Sequence, residues 1–239
     1  MQLGLTAFEQ MKKDVPISTD ARAKSLVERV GARIAEQAKK ELPDAKWEFV
    51  VFESKEANAF CLPGGKVGVY TGILPYTKTE EGLATVIGHE VAHASQHHGA
   101  ERMSDALAIQ KVSEAAAGMV SDKYQAAAAT AFGVAGKGTE LAFSRTQESE
   151  ADHVGLLYMA RAGYDPEEAI RFWERFSEAT KSANALDNIK WLRTHPLTAD
   201  RISDLKKWMP EAKAEFQKSK ARGAAPEAPS AKLSQIVSK

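Results

Sequence analysis

His89, Glu90 and His93 form an H-E-x-x-H run within Gly88-His89-Glu90-Val91-Ala92-His93. On a helix, residues four apart lie on one face, so the two imidazoles can be offered to one metal ion. Glu90 is turned about 100° from His89, off the ligand pair but within reach of a water held at the metal. Zinc lowers the pKa of such a water toward ~7. A neighbouring carboxylate can then take its proton as the oxygen attacks a carbonyl. The run therefore predicts a zinc hydrolase, whereas a helix that merely carries two histidines would need no partner residues elsewhere.

Catalytic zinc usually has three protein ligands and one open position. An extended H-E-x-x-H-x-x-G-x-x-H pattern would put glycine at 96 and histidine at 99, where the chain has Gln96 and Gly99. The alternative is a glutamate on a second helix with an aspartate four residues on. Glu148-Ser149-Glu150-Ala151-Asp152 supplies it, ahead of the helix-favouring Leu156-Leu157-Tyr158-Met159-Ala160. Glu148 and Asp152 share a face while Glu150 points elsewhere. Glu148 is thus expected to complete a His-His-Glu site, with Glu150 as the alternative ligand. Asp152 is placed to accept the free ring N–H of a ligand histidine and fix its tautomer. Alone, the same run reads as an acidic helix start that complements the helix dipole.

Several further segments occur in a fixed order: Asn58-Ala59-Phe60-Cys61-Leu62-Pro63-Gly64-Gly65, then Val69-Tyr70-Thr71-Gly72-Ile73-Leu74, the two metal motifs, and Thr194-His195-Pro196 with Arg201-Ile202. Together they resemble the gluzincin metallopeptidase family that includes the CAAX prenyl protease, HtpX and the Oma-type mitochondrial protease (metallopeptidase family forty-eight). The soluble or lipoprotein bacterial members are the nearest likeness, over about residues 18–210. The resemblance implies a zinc endopeptidase of protein quality control in the cell envelope, acting on unfolded or extended polypeptide. It assigns substrate binding to an edge strand around Asn58 and Ala59, whose unpaired backbone can add an extended peptide as a further strand. Phe60 is expected in the core. The resemblance also places His195 over the metal, as a hydrogen-bond donor to the oxyanion of the tetrahedral intermediate. Arg201 either pairs with an acidic residue behind the ligands or faces substrate, and the pairing is the expectation.

The elements that must position these residues are partly legible. Leu26, Val27, Val30, Ile34, Ala35 and Ala38 form one stripe of a helix expected over 19–42. The segments 47–52 and 66–70 read as strands, and Leu62-Pro63-Gly64-Gly65-Lys66 is a turn signal between two short β-rich runs, the second of them 66–70. His195 precedes a proline and is expected in extended backbone. His97 lies one turn beyond His93, His98 and Gly99 look like the helix end, and His153 looks like surface. None of these three histidines is given catalytic work. The fold class expected is α+β: a zincin-like domain, mostly helical, with a small sheet whose edge strand lies by the metal helix. The expected organisation is an N-terminal segment (1–17), the peptidase domain (18–210), and a charged helix fading into a disordered tail (211–239).

Between His93 and Glu148 lie 54 residues rich in alanine and glycine, expected as one or two helices, either ordinary packing or a lid near the cleft. Charge is balanced at 32 basic and 32 acidic residues, which argues against nucleic acid as main partner. Cys61 is the single cysteine, so no internal disulfide forms, and its apolar neighbours suggest a buried thiol. No stretch approaches the ~20 apolar residues of a membrane span. Met1-Gln2-Leu3-Gly4 leads into a polar helix-like segment without a signal peptide. Similar bacterial proteins carry a leader or lipid anchor, so the expectation is a periplasmic or envelope protein whose leader has been removed. Cytoplasmic residence is the alternative if the chain is complete. Nothing in the sequence sets the oligomeric state or the substrate. Cobalt or manganese can occupy a His-His-Glu site in place of zinc. Two other functions compete: a zinc aminopeptidase, for which no acidic motif is visible, and a latent or non-catalytic relative that binds client protein.

Overall fold

The computed structural model describes residues 2–105, 142–181 and 189–223. The alanine- and glycine-rich middle segment and the tail from 224 onward lie outside the described residues. Helix α1 (Gln2–Asp14) and helix α2 (Ala21–Gln37) precede strands β1 (Glu48–Phe52), β2 (Ala59–Leu62) and β3 (Lys66–Tyr70). A 3-10 turn at Thr71–Ile73 and a one-turn helix α3 (Leu74–Thr77) lead into α4 (Glu80–Ser95). Then come α5 (Arg145–Arg161), α6 (Glu167–Ala179), α7 (Trp191–Thr194) and α8 (Arg201–Ala221). The expected α+β arrangement, mostly helical with a small sheet, is what the chain adopts.

Helix α2 begins where the Asp20 carboxylate accepts from the N–H groups of Arg22 and Ala23, an N-cap that satisfies two orphan donors. Its buried stripe Ala23, Leu26, Val27, Val30 and Ile34 faces β1 and α4. It stops at Gln37, short of the expected residue 42. Lys39, Lys40 and Glu41 are exposed and bring no apolar face, and Leu42 stands before Pro43, which disfavours helical backbone there.

The sheet has the order β1-β3-β2, with β1 parallel and β2 antiparallel to β3. The turn from β2 to β3 places Gly64 at φ 93° and Gly65 at φ 80°, left-handed backbone that explains the paired glycines. Ile17 bridges to Phe52 on the outer side of β1. Strand β2 forms the other edge and lies against α4.

Helix α4 is buried on nearly every side, as a core helix must be when apolar residues surround its axis. Thr79 caps it by accepting from the Gly82 N–H. Helix α5 opens with a full capping box between Ser144 and Gln147, which puts Glu148 in its first turn. The two helices cross in backbone contact. A Cβ on Gly155 would stand 2.8 Å from His89 N, and one on Gly88 2.9 Å from Gly155 O. Glycine at both positions thus lets α5 approach α4 beside His89. Among the described residues, no helix is long and apolar enough to cross a membrane.

Candidate metal centre and active site

Helices α4 and α5 and the loop that follows α7 deliver four side chains to one point. His89, His93, Glu148 and His195 each offer a donor atom, all within 4.8 Å of one another, and all four are buried. His93 Nε2 is 3.0 Å from His89 Nε2, and His89 Nε2 is 3.1 Å from His195 Nδ1. Glu148 reaches His195 Nδ1 at 2.9 Å, His93 Nε2 at 3.3 Å and His89 Nε2 at 3.7 Å. Donors about a tetrahedral ion with bonds of ~2.1 Å stand roughly 3.4 Å apart, and these spacings bracket that value. Imidazole lone pairs turned toward one another inside a protein repel unless a cation or proton lies between them. The donor set therefore fits a metal ion on both geometry and chemistry.

Glu150 is outside this set. Its side chain is half-exposed and points to His98, so the alternative ligand reading is not what the fold brings together. Asp152 Oδ1 lies 2.9 Å from His89 Nδ1, on the outer side of the ring. Arg201 Nη2 donates to Glu148 Oε2 and its Nε donates to Asp152 Oδ2 at 2.5 Å, with its guanidinium stacked 3.9 Å over Trp173. Arg201 therefore faces the carboxylates and not the cleft.

The electrostatics follow from this packing. Burial pushes His93 well below the ordinary histidine value and outweighs the bond to Glu148. Burial also acts downward on His89, but Asp152 and Glu148 outweigh it and the net shift is upward. Burial acts upward on Glu148, yet the surrounding histidines hold its carboxyl far below the usual carboxylate range.

Glu90 lies one residue along α4 from His89, and its Oε1 accepts from the Trp191 indole N–H at 2.6 Å. His195 Nε2 stands 3.3 Å from the same oxygen. His195 thus has one nitrogen among the four candidate donors and the other beside Glu90, whereas the resemblance implied a place above the metal as an oxyanion donor. Its backbone, at φ −120° and ψ 81°, lies outside the helical region. The loop carrying it is tied down twice, by Trp191 N–H to Ala57 O and Phe143 N–H to Thr194 O. Phe143 stacks on the His93 ring, with centroids 3.8 Å apart.

A cleft of about 360 Å³ opens over Glu90, His93 and His195. Ala59 and Cys61 of the edge strand line it, with Asn58 just before the strand, and so do Met11 of α1 and Leu42. The Tyr70 N–H donates to Asn58 O, so in the antiparallel alternation the N–H and C=O groups of Ala59 and Cys61 turn to the open edge. The Asn58 side-chain oxygen already accepts from the Ala59 N–H at 3.0 Å. Phe60 packs with the aromatic cluster of Phe8, Phe52 and Tyr70. Cys61 is half-buried, and burial, helped by the charge of Glu90, pushes its thiol up.

Trp191, Phe143, His98 and the paired Gly88 and Gly155 carry no site role in the sequence reading. His97 also differs from expectation. It adopts φ 62° and ends α4 after Gln96, and a new helical stretch starts at 98. His98 is buried there, 3.0 Å from the outer nitrogen of His93. His153 stacks on Trp208 and bonds Glu211, clamping α5 to α8.

A buried His-His-Glu centre on two crossed helices, beside an edge strand, is the architecture of a metallopeptidase. The profile of Peptidase family M48 matches residues 21–209, and the chain belongs to that family. It is 38% identical over 171 residues to the mitochondrial metalloendopeptidase OMA1 of Schizosaccharomyces pombe, covering 72% of this chain and 49% of that protein. The Saccharomyces cerevisiae protein of the same name is 35% identical over 204 residues, 81% of this chain and 58% of its own length. The beta-barrel assembly-enhancing protease of Escherichia coli (strain K12) is 27% identical over 210 residues, 85% of this chain and 42% of that protein. The chain thus spans about half the length of these relatives.

Proposed function

We propose that the chain is a zinc-dependent endopeptidase that cleaves internal bonds of unfolded or extended polypeptide. The observation that carries this reading is the convergence of His89, His93 and Glu148 beneath a cleft walled by an open strand edge, with Glu90 at its floor. In this reading His89, His93 and Glu148 hold the ion. When bound, zinc supplies an acidified water and polarises the scissile carbonyl. Glu90 takes the proton of the attacking water and returns it to the leaving amine. Trp191 fixes the Glu90 carboxylate by its indole N–H. Asp152 holds the outer nitrogen of His89, and Arg201 braces Glu148 against Asp152. An extended peptide adds to β2, pairing with the Cys61 N–H and C=O and the Ala59 C=O. Asn58 shapes this edge by occupying the Ala59 N–H itself. Backbone pairing reads little side-chain identity, which suits unfolded clients. The names of the relatives, one mitochondrial and one of beta-barrel assembly, support an envelope or membrane-associated role in protein quality control. We assign this activity to the unit 18–210.

A second reading is favoured by His195 Nδ1, which lies among the donors where a substrate-accessible position is needed. With His195 engaged there, the protein is latent, and its oxyanion role requires the loop to shift. The test is degradation of casein by native protein and Glu90→Gln at equal measured zinc content. Cleavage by the native chain alone establishes the peptidase and its base. If both hold zinc and neither cleaves, the site is latent or the ion serves client binding alone.

A further inference from the structure

On an uninterrupted helix His98 would lie about 140° around the axis from His93, out of contact. The break at Gln96 and the left-handed His97 turn the chain back. His98, 2% exposed, is thereby brought under the metal helix. Its Nδ1 stands 3.0 Å from His93 Nδ1, and its Nε2 stands 3.2 Å from Glu150 Oε2. The Glu150 side chain is 49% exposed, so the three groups run from the buried donor set to solvent.

Proton positions along this line follow by elimination. His93 Nε2 faces His89 Nε2 and Glu148, and as a ligand it must present a lone pair. The ring proton of neutral His93 then sits on Nδ1. A donor at that position needs an acceptor, so His98 Nδ1 carries the lone pair and His98 keeps its own proton on Nε2. That proton points at the Glu150 carboxylate. Both ring nitrogens of His98 are therefore used, each in one sense only, and an apolar side chain of equal volume could fill the site but serve neither partner.

We propose that His98 is a positioning residue for His93, the middle of a Glu150–His98–His93 relay that fixes the tautomer and orientation of the ligand ring. The relay rests on the reading of His93 as a metal ligand. It acts as outer partners of metal-bound histidines do in general, by holding the ring in place and raising its basicity.

The test measures zinc affinity by competition with a chromophoric chelator. His98→Phe keeps the volume and removes the acceptor, and is expected to weaken zinc binding about 10–100-fold. His98→Asn restores an acceptor at the δ position and is expected to recover most of that loss. Glu150→Ala, at the exposed end, is expected to weaken binding several-fold without changing the thermal stability of the metal-free protein. Zinc affinity in His98→Phe equal to native, or no better in His98→Asn than in His98→Phe, overturns the relay. Should His98→Phe fail to fold, long-range proton–nitrogen correlation spectra of the zinc-loaded native protein read the tautomers directly. The Nε2–H form of His98 supports the relay and the Nδ1–H form overturns it. A His93→Ala control separates the two layers. If it binds zinc as the native protein does, the metal reading itself falls, and the relay with it.

Discussion

The Trp191 indole N–H donates to Glu90 Oε1 at 2.6 Å, and both side chains are buried. The bond joins the metal helix to α7, across about a hundred residues of sequence. Trp191 is itself held among Trp173, Phe172 and Phe176, so Glu90 is aimed by an aromatic wall. A hydrogen bond to a charged group is worth about 1.5–3 kcal/mol, and a misplaced catalytic group loses rate steeply.

Trp191→Phe keeps an aromatic ring in the wall and removes only the donor. The expected result is a kcat lower by about 10–100-fold, from the same bond energy, with KM and zinc content close to native. Single-turnover cleavage of a fluorogenic peptide, paired with metal analysis, checks it. A fall in zinc content in step with activity would mean that the indole supports the metal site and not the carboxylate.

How much of this was legible depended on whether one element held the whole relationship. His89 and His93 share a face through helical periodicity alone, and Glu148 with Asp152 does so on α5, so their convergence needed only the two helices to meet. What makes the helices meet was hidden. Gly88 and Gly155 are each an unremarkable helix glycine until the chains cross and their backbones touch. The contacts of Trp191 with Glu90 and of His98 with His93 depend on a loop path and on a break at 96–97, which carry no periodic signal. The family resemblance placed His195 over the metal but could not say which ring nitrogen would face it. The edge strand was placed correctly, and its pairing register then showed that Cys61 and Ala59, and not Asn58, turn their backbone groups outward.

Gly155→Ala tests the crossing of α4 and α5. The added methyl meets backbone atoms of Gly88 and His89, which cannot rotate away as a side chain can. Overpacking of this kind costs about 1–3 kcal/mol. Because the pushed helix carries Glu148, the expected outcome is a lower unfolding midpoint together with weakened zinc binding. Urea titration of the metal-free protein and chelator competition measure the two separately. Lost stability with unchanged zinc affinity would show that the helices part at the far end and leave the donors in place.

Arg201→Met removes the cation that bridges Glu148 and Asp152 while keeping an apolar stem over Trp173. Leaving buried carboxylates without their partner costs about 3–5 kcal/mol, so the metal-free variant should unfold earlier in urea. The pH dependence has a definite sign. The surrounding histidines are the main cause of the depressed Glu148 carboxyl, and loss of the positive neighbour raises it from there. Acid then protonates Glu148 at a higher pH in the metal-free variant than in the native protein. As pH falls the variant should therefore lose zinc affinity earlier, with more protons released per ion in that range. Calorimetric titrations in two buffers of different ionisation enthalpy count those protons. Equal release from native and variant would mean that Arg201 serves the fold alone and leaves the charge state of Glu148 to the histidines.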